Sequence, residues 1–464
     1  MAMPEDTSRR RGKSLRERVP RSDHDGWERA PDRPDPVSVL QDQANTRQPI
    51  LVPIRHGRML SSPFAFYRGG AAIMAADLAP TPVSGLTVQL CGDAHLENFG
   101  GFAAPDRQLV FDVNDFDETL PGPWEWDLKR LAASFAVAGR DHGLAPDERA
   151  AAIRSAVSQY RLAMRGFAAM RTVDVWYARL ELEQGFAQWA RAAGRARRRR
   201  LNKALEKARH KDSLRAFAKL AHDVEGRPRI VRDPPLIVPL DDMVHAEQRA
   251  AALDELLALF GRYRHSLPHH TRQLLDAYEP ADLAHKVVGV GSVGLQAWIA
   301  LLIGNGPADP LFLQIKEAES SVLERFTRRS RFSSPGRRVV EGQRLMQAGS
   351  DVFLGWLRGP EAAPGGGRRH FYVRQLWDAK ASVGVADLAA EELAGYAGVC
   401  GWTLARAHAR TGDREAIAAY LGRGDRFDRA LVGFAEAYAD QNERDFETFC
   451  AAVRAGRIAA ETGL

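Results

Sequence analysis

Apolar positions recur at helical spacing through most of the middle of the chain. From Trp126 to about Tyr278, segments such as WDLKRLAASFAVAG and AALDELLALFGRYRHSL place apolar side chains three and four residues apart. That spacing is typical of one buried face of an α-helix. A Pro-rich interval at 226–240 interrupts the pattern, and helical spacing returns after about Val385. We therefore predict a largely helical middle region and a helical C-terminal region.

Between these regions, from about His285, the pattern becomes that of a β-sheet. Three short apolar runs, KVVGVGSVG, LQAWIALLI and LFLQIKEA, are separated by glycine-containing turns. Two more, VFLGWLRG and RHFYVRQLW, follow the helix-like segment GRRVVEGQRLMQAG. Such runs between turn signals predict short strands with tight connections. Leu86–Leu90 and Leu109–Val113 are further strand candidates, so the predicted fold class is α+β.

Composition adds limits on partners and location. The chain has 464 residues, a formal net charge of +6 and 45% hydrophobic residues, which is ordinary for a globular protein and gives no strong signal for nucleic acid. Residues 1–36 are polar and Arg-rich, and we predict a disordered arm there. The longest apolar run, Ala297–Ile303, is too short to span a membrane. We expect a cytoplasmic protein without a membrane partner. The basic run Arg197–Arg200 is either a solvated helix face or a contact for an anion.

The most informative stretch is the acidic one that begins at Cys91. It brings Asp93, Asn98, Asp112 and Asp115 close to two short apolar pieces of chain. Mg²⁺ prefers a few hard oxygen ligands and takes others from phosphate and water. Phosphoryl transfer also needs a carboxylate that orients the attacking hydroxyl. This stretch therefore predicts a site for a divalent metal and a phosphate chain.

A glycine pattern and a lysine form a second candidate site. Gly289, Gly291 and Gly294 form a G-x-G-x-x-G, which fits a structural hairpin, a cover over phosphates or a dinucleotide fold. Lys316 lies 22 residues after Gly294, at the end of an apolar run. A lysine there can reach nucleotide phosphates if a carboxylate holds its ammonium group. Glu341, in the predicted helix, is our candidate for that carboxylate.

These residues, in this order, resemble the small lobe of a protein kinase. The segment Gly92–Asn98 resembles the G-D-x-H-x-x-N catalytic loop of aminoglycoside and choline kinases. The resemblance implies that Asp93 orients the acceptor hydroxyl and that Asn98 and Asp112 bind Mg²⁺, with Asp115 as the rival of Asp112. The catalytic-loop match precedes the small-lobe match, which is the reverse of an ordinary kinase. We infer a circularly permuted, two-lobed kinase-like fold with a small antiparallel sheet lobe and a large helical lobe.

Most of the chain also resembles an uncharacterised bacterial family, domain of unknown function 2252, through segments such as SPFAFYRG, CGDAHLENFG and FDVNDFDET. We expect four parts: the arm (1–36), the catalytic-loop, metal-site and helical part (37–280), the small lobe (281–380) and a helical end (381–464). The expected function is ATP- and Mg²⁺-dependent phosphotransfer to an unknown hydroxyl acceptor. Three alternatives stay open: nucleotidyl transfer, a nucleotide-binding pseudokinase, and a metal-dependent phosphoesterase built on Asp93, His95, Asp112, Asp115 and Asp117.

Overall fold

The computed structural model describes residues 5–181, 213–224, 227–287, 289–306, 308–359, 368–376, 384 and 388–463. Within these ranges the α-helices are α1 Glu5–Arg18, α2 Pro36–Ala44, α3 Val52–Met59, α4 Pro63–Gly69, α5 Ala71–Leu78, α6 Trp124–Asp141, α7 Pro146–Ala168, α8 Thr172–Tyr177, α9 Ser213–Leu220, α10 Arg249–His265, α11 His269–Leu275, α12 Pro335–Met346, α13 Ala390–Ala409, α14 Arg414–Leu421 and α15 Arg426–Arg454. The strands are β1 Thr87–Leu90, β2 Phe99–Ala103, β3 Leu109–Val113, β4 Leu120–Pro123, β5 Leu180–Glu181, β6 Ala221–Val224, β7 Arg227–Ile230, β8 Ile237–Pro239, β9 Glu279–Lys286, β10 Ala297–Ile303, β11 Pro310–Glu317, β12 Gly355–Arg358 and β13 His370–Gln375. The predicted α+β class is confirmed.

The largest sheet is antiparallel and has six strands in the order β12-β13-β11-β10-β9-β8. The predicted apolar runs after His285 supply β10, β12 and β13 in full, β11 except for its first residue Pro310, and only the last residue of β9. Alternate residues of β10 point to opposite faces. Ile299 and Leu301 pack on one face with α9, and Leu302 packs on the other with α10 and α11. Residues 213–278 therefore contribute to the packing of this sheet, although we expected the sheet region to begin at 281.

A second and larger core joins the helices to the short strands. Helix α7 lies along α13, and both pack with α6, α14 and α15 around β1, β3 and β4. At its centre the rings of Trp124 and Tyr160 are stacked, with centroids 5.6 Å apart. Among the helices that the structure describes, none combines the length and apolar character that a membrane crossing requires. This helical core carries the acidic stretch at one edge.

The N-terminal segment differs from our expectation of a disordered arm. Helix α1 packs on α14, and His24 is buried with its Nε2 2.7 Å from the Tyr420 hydroxyl. Arg33 donates hydrogen bonds to the carboxylates of Asp77 (2.6 Å) and Asp445 (3.0 Å), all three side chains being buried. The polar composition was misleading because the charge of Arg33 is neutralised by carboxylates 44 and 412 residues away in the sequence.

We expect Arg33→Met to lower the free energy of unfolding by about 3–5 kcal/mol, because it leaves two buried carboxylates without their cation. Urea unfolding followed by circular dichroism measures the change. Arg171→Met is the matched control, because Arg171 pairs with Asp174 at an exposed position, where solvent screening leaves such a pair little net stabilisation. Equal losses in the two variants would contradict a structural role for the N-terminal segment.

Candidate functional site

The acidic stretch and the glycine loop line the same cleft. Asp93, Asn98 and Asp115 come from the early part of the chain, and Gly289 and Gly291 come from the connection between β9 and β10. Asp117, Glu118 and Ser292 line it as well. Two of the predicted site groups, far apart in the sequence, are thus brought to one place.

Arg130 binds one oxygen of the Asp93 carboxylate and leaves the other without a hydrogen bond from it. Arg130 Nε donates to Asp93 Oδ1 at 2.6 Å, and Arg130 Nη2 lies 2.5 Å from the same oxygen. Arg130 also donates to the Tyr67 carbonyl and lies over the Tyr67 ring. The second oxygen, Oδ2, is 3.8 Å from His95 Nε2. Burial raises the pKa of Asp93, and the Arg130 guanidinium opposes that rise. Oδ2 is therefore the oxygen available to a hydroxyl group in the cleft.

The backbone of the Asp93 loop is held by Asp127. Its carboxylate accepts hydrogen bonds from the amides of Cys91 (2.8 Å) and Gly92 (3.0 Å), and His408 Nε2 lies 3.2 Å away. Gly92 has a φ of +84°, and a Cβ there would lie 2.3 Å from the Glu118 carbonyl oxygen. Cys91 is fully buried, and burial raises the pKa of its thiol well above the usual value. The sequence did not reveal the bracing role of Asp127 or His408.

Asn98 and Asp115 present oxygen atoms to the cleft, but Asp112 does not. Asn98 Nδ2 donates to the Asp93 carbonyl at 2.7 Å, which leaves its own side-chain oxygen uncommitted among the described residues. Asp112 is buried in β3, where its carboxylate forms an ion pair with Arg406 of α13 and accepts from the Ala348 amide. The expectation that Asp112 is the main metal ligand therefore needs correction, because a neighbouring helix already neutralises its charge.

Lys316 is paired with Asp117 rather than with Glu341. Its Nζ donates to Asp117 Oδ2 at 2.7 Å. The same carboxylate accepts from Ser292 Oγ at 3.0 Å and from the Tyr372 hydroxyl at 2.6 Å. Burial would raise the pKa of Asp117, but the Lys316 ammonium and the hydrogen bonds lower it to about 2.

Glu341 lies on the partly exposed side of α12, where its nearest cations are Arg337 (3.8 Å) and Arg344 (4.0 Å) of the same helix. The apolar neighbours Val339 and Val340 are buried instead. Helical periodicity therefore turns Glu341 away from the core that buries Val339 and Val340, and the prediction that it holds Lys316 is corrected.

The glycine loop is a connection between two antiparallel strands. Gly289 and Gly294 have positive φ angles of +72° and +96°. A Cβ on Gly294 would lie 2.9 Å from Cβ of Arg47, and the Gly294 carbonyl accepts from the Gln48 amide. Gly294 thus anchors the loop, whereas Gly289 and Gly291 line the cleft. A dinucleotide-binding loop would lead into a helix, and this loop leads into β10.

The oxygen donors of the cleft limit how a metal ion could be bound there. Among the described residues, no three side chains of His, Cys, Asp or Glu converge to form a metal cage. Asn98 and Asp115 nevertheless offer hard oxygens, and Mg²⁺ commonly takes one or two protein ligands together with phosphate oxygens. The residues therefore fit Mg²⁺ bound with a phosphate chain and do not fit Mg²⁺ bound alone. The basic run Arg197–Arg200, a candidate anion contact, lies outside the described residues.

Fold and cleft together define an α+β protein in which an antiparallel hairpin loop faces an acidic loop. The family model described as "Uncharacterized protein conserved in bacteria (DUF2252)" matches residues 47–452. The chain belongs to this family. No curated protein and no solved structure matches it.

Proposed function

We propose that the protein is an ATP- and Mg²⁺-dependent phosphotransferase that acts on a hydroxyl-bearing acceptor. One observation carries the proposal: the acidic loop and the glycine loop line one cleft, and Lys316 reaches Asp117 across 199 positions of sequence. Phosphoryl transfer needs this combination of amide donors, a cation and a carboxylate around the phosphates, because positioning and charge neutralisation supply most of the rate.

Each residue has a distinct role in this proposal. Backbone amides of the loop that contains Gly289 and Gly291 cover the phosphates, and Gly294 fixes the end of that loop. Lys316 does not itself line the cleft; it supplies positive charge next to Asp117, which does, and Asp117 and Tyr372 fix its position. Asn98 and Asp115 would hold Mg²⁺, which supplies charge neutralisation when it is bound. Asp93 Oδ2 orients the acceptor hydroxyl and accepts its proton.

A circularly permuted kinase-like fold is part of the proposal. The end of α13, where WTLARAHAR resembles the helix that precedes a kinase catalytic loop, meets the Asp93 loop from the other end of the chain. Three contacts support this: His408 lies beside Asp127, Thr411 Oγ1 accepts from the Gln89 amide, and the Tyr396 hydroxyl donates to the Leu96 carbonyl. Permutation is tolerated where the original termini are close and exposed.

Thermal melting with nucleotide tests the proposal. We expect ATP with Mg²⁺ to raise the melting temperature, with a stabilisation of about 2.7 kcal/mol at a ligand concentration 100 times its Kd. Mg²⁺ alone should have little effect, because the described residues form no complete metal cage. Asp115→Asn should remove most of the Mg²⁺-dependent increment.

Asp112→Asn is the comparison variant for this measurement. It should lower the melting temperature of the free protein, because it leaves the buried Arg406 guanidinium without its carboxylate. The increment from ATP and Mg²⁺ should persist, since Asp112 does not line the cleft. No shift with any nucleotide, or loss of the increment in Asp112→Asn alone, would overturn the proposed arrangement.

A further inference from the structure

Three arginines line the cleft beside the Asp93 loop: Arg47 after α2, Arg55 in α3 and Arg68 in α4. Arg55 is 1% exposed, and its Nη2 donates to the Gln43 side-chain oxygen and to the Gly69 carbonyl at 3.0 Å each. Its Nε and Nη1 are buried and have no hydrogen-bond partner among the described residues, and the same holds for Nε of Arg47 and of Arg68. Buried N–H groups of this kind are normally satisfied, so these donors call for a ligand.

The charge of this cluster is also incompletely balanced. Arg68 pairs with Glu97 at 2.9 Å. Neither Arg47 nor Arg55 forms an ion pair with a carboxylate of the described residues. Burial lowers the pKa of both guanidinium groups, and the Glu319 carboxylate only partly opposes that fall. The buried Arg33 and Arg406 have carboxylate partners, whereas the buried Arg338 donates to backbone carbonyls instead. A buried guanidinium without an anion is costly, and a ligand anion would remove that cost.

The cluster adjoins the loop that would cover the phosphates and the loop that carries Asp93. Arg47 donates to the Val293 carbonyl, and its side chain packs against Gly294. The Arg68 carbonyl oxygen is 3.6 Å from the position of a Cβ on Gly291. Arg68 is also close enough to His95 to help burial lower the pKa of that imidazole. Lys316, by contrast, is held by Asp117 and Tyr372.

We infer that Arg47, Arg55 and Arg68 form an anion subsite that binds a phosphate group of the acceptor, so that the acceptor is a phosphorylated hydroxyl compound. The inference rests on the proposed function, because it places the acceptor hydroxyl at Asp93. Guanidinium groups suit this ligand, since each presents a planar fork of donors that matches phosphate oxygens. The bound phosphate would occupy the free donors of Arg47 and Arg55 while the hydroxyl of the same molecule lies at Asp93 Oδ2.

Inorganic phosphate is the probe for this subsite. Melting temperatures of the full chain are measured over a phosphate series at constant ionic strength, with and without a saturating non-hydrolysable ATP analogue and Mg²⁺. We expect phosphate to stabilise the protein in both conditions. Arg55→Gln and Arg68→Gln should each raise the half-saturating phosphate concentration about tenfold, which corresponds to about 1.4 kcal/mol of binding free energy. Arg68 is partly exposed, so its variant serves even if Arg55→Gln does not fold.

Arg171→Gln removes the same charge from an exposed position and should leave the phosphate response unchanged. The subsite is overturned if phosphate does not stabilise the protein, or if Arg171→Gln weakens phosphate binding as much as the cleft variants do. It is also overturned if the ATP analogue abolishes phosphate binding, because the arginines would then bind nucleotide phosphates. Failure of the analogue to stabilise the protein would instead overturn the proposed function. The experiment therefore distinguishes failure of the anion subsite from failure of the proposed function.

Discussion

Replacing Asp93 by asparagine is expected to lower the rate of phosphoryl transfer at least 100-fold and to leave nucleotide affinity nearly unchanged. A positioned general base typically contributes about 10²–10⁴-fold to a rate. Asp93 lines the cleft, and its Oδ2 is the carboxylate oxygen that Arg130 does not bind. Asparagine keeps the size of the side chain but loses its negative charge. The rate is measured as basal release of phosphate from γ-labelled ATP, and affinity by calorimetry with the ATP analogue.

Asp106→Asn is the matched control for this experiment. Asp106 belongs to the same acidic stretch, but its side chain is about half exposed and pairs with Arg179 at 2.7 Å. Its replacement should leave the rate within about twofold. The melting temperature of Asp93→Asn must be recorded as well, because Arg130 loses a charged partner. A rate that is equal in the two variants, or a loss of nucleotide affinity that matches the loss of rate, would exclude Asp93 as the residue that orients the acceptor.

The sequence was a good guide to elements that local patterns determine. Strand β3 has the predicted bounds Leu109–Val113, and the run after the glycine loop forms β10, which pairs with β9 and β11. The run before the loop was misplaced, because β9 ends at Lys286, where that run begins. The N-terminal segment was misjudged for a different reason: the contacts of Arg33 are tertiary, and composition carries no information about them.

The site shows the same division between local and tertiary information. The acidic stretch was identified because several carboxylates and an amide lie close together in the sequence. The choice of the metal ligand among these carboxylates required knowledge of their tertiary contacts, because Arg406 neutralises Asp112 from a helix 294 positions away in the sequence. Asp117, which we had assigned only to the phosphoesterase alternative, is the carboxylate that holds Lys316. With Asp112 outside the cleft, that phosphoesterase set loses one of its five members.

Asp117→Asn is expected to destabilise the protein far more than Glu341→Gln, which tests the reassignment of the Lys316 partner without any knowledge of the acceptor. Lys316 is buried, and removing one partner of a buried ion pair costs about 3–5 kcal/mol. Among the described residues, Glu341 forms ion pairs only with Arg337 and Arg344 of its own helix, at 3.8 and 4.0 Å, and such pairs contribute about 0–1 kcal/mol. Urea unfolding at pH 7 gives both values.

The pH dependence of unfolding makes this test specific. The pKa of Asp117 is lowered to about 2 in the folded protein, compared with roughly 3.9 in an unfolded chain. The stabilisation from its ionised form is therefore fully present above about pH 4 and is lost as the pH falls toward 2. The difference between wild type and Asp117→Asn should shrink over that interval, whereas Glu341→Gln should follow wild type throughout. If Glu341→Gln were the more destabilised variant, Lys316 would depend on the helix carboxylate, and the acidic loop would not be coupled to the sheet.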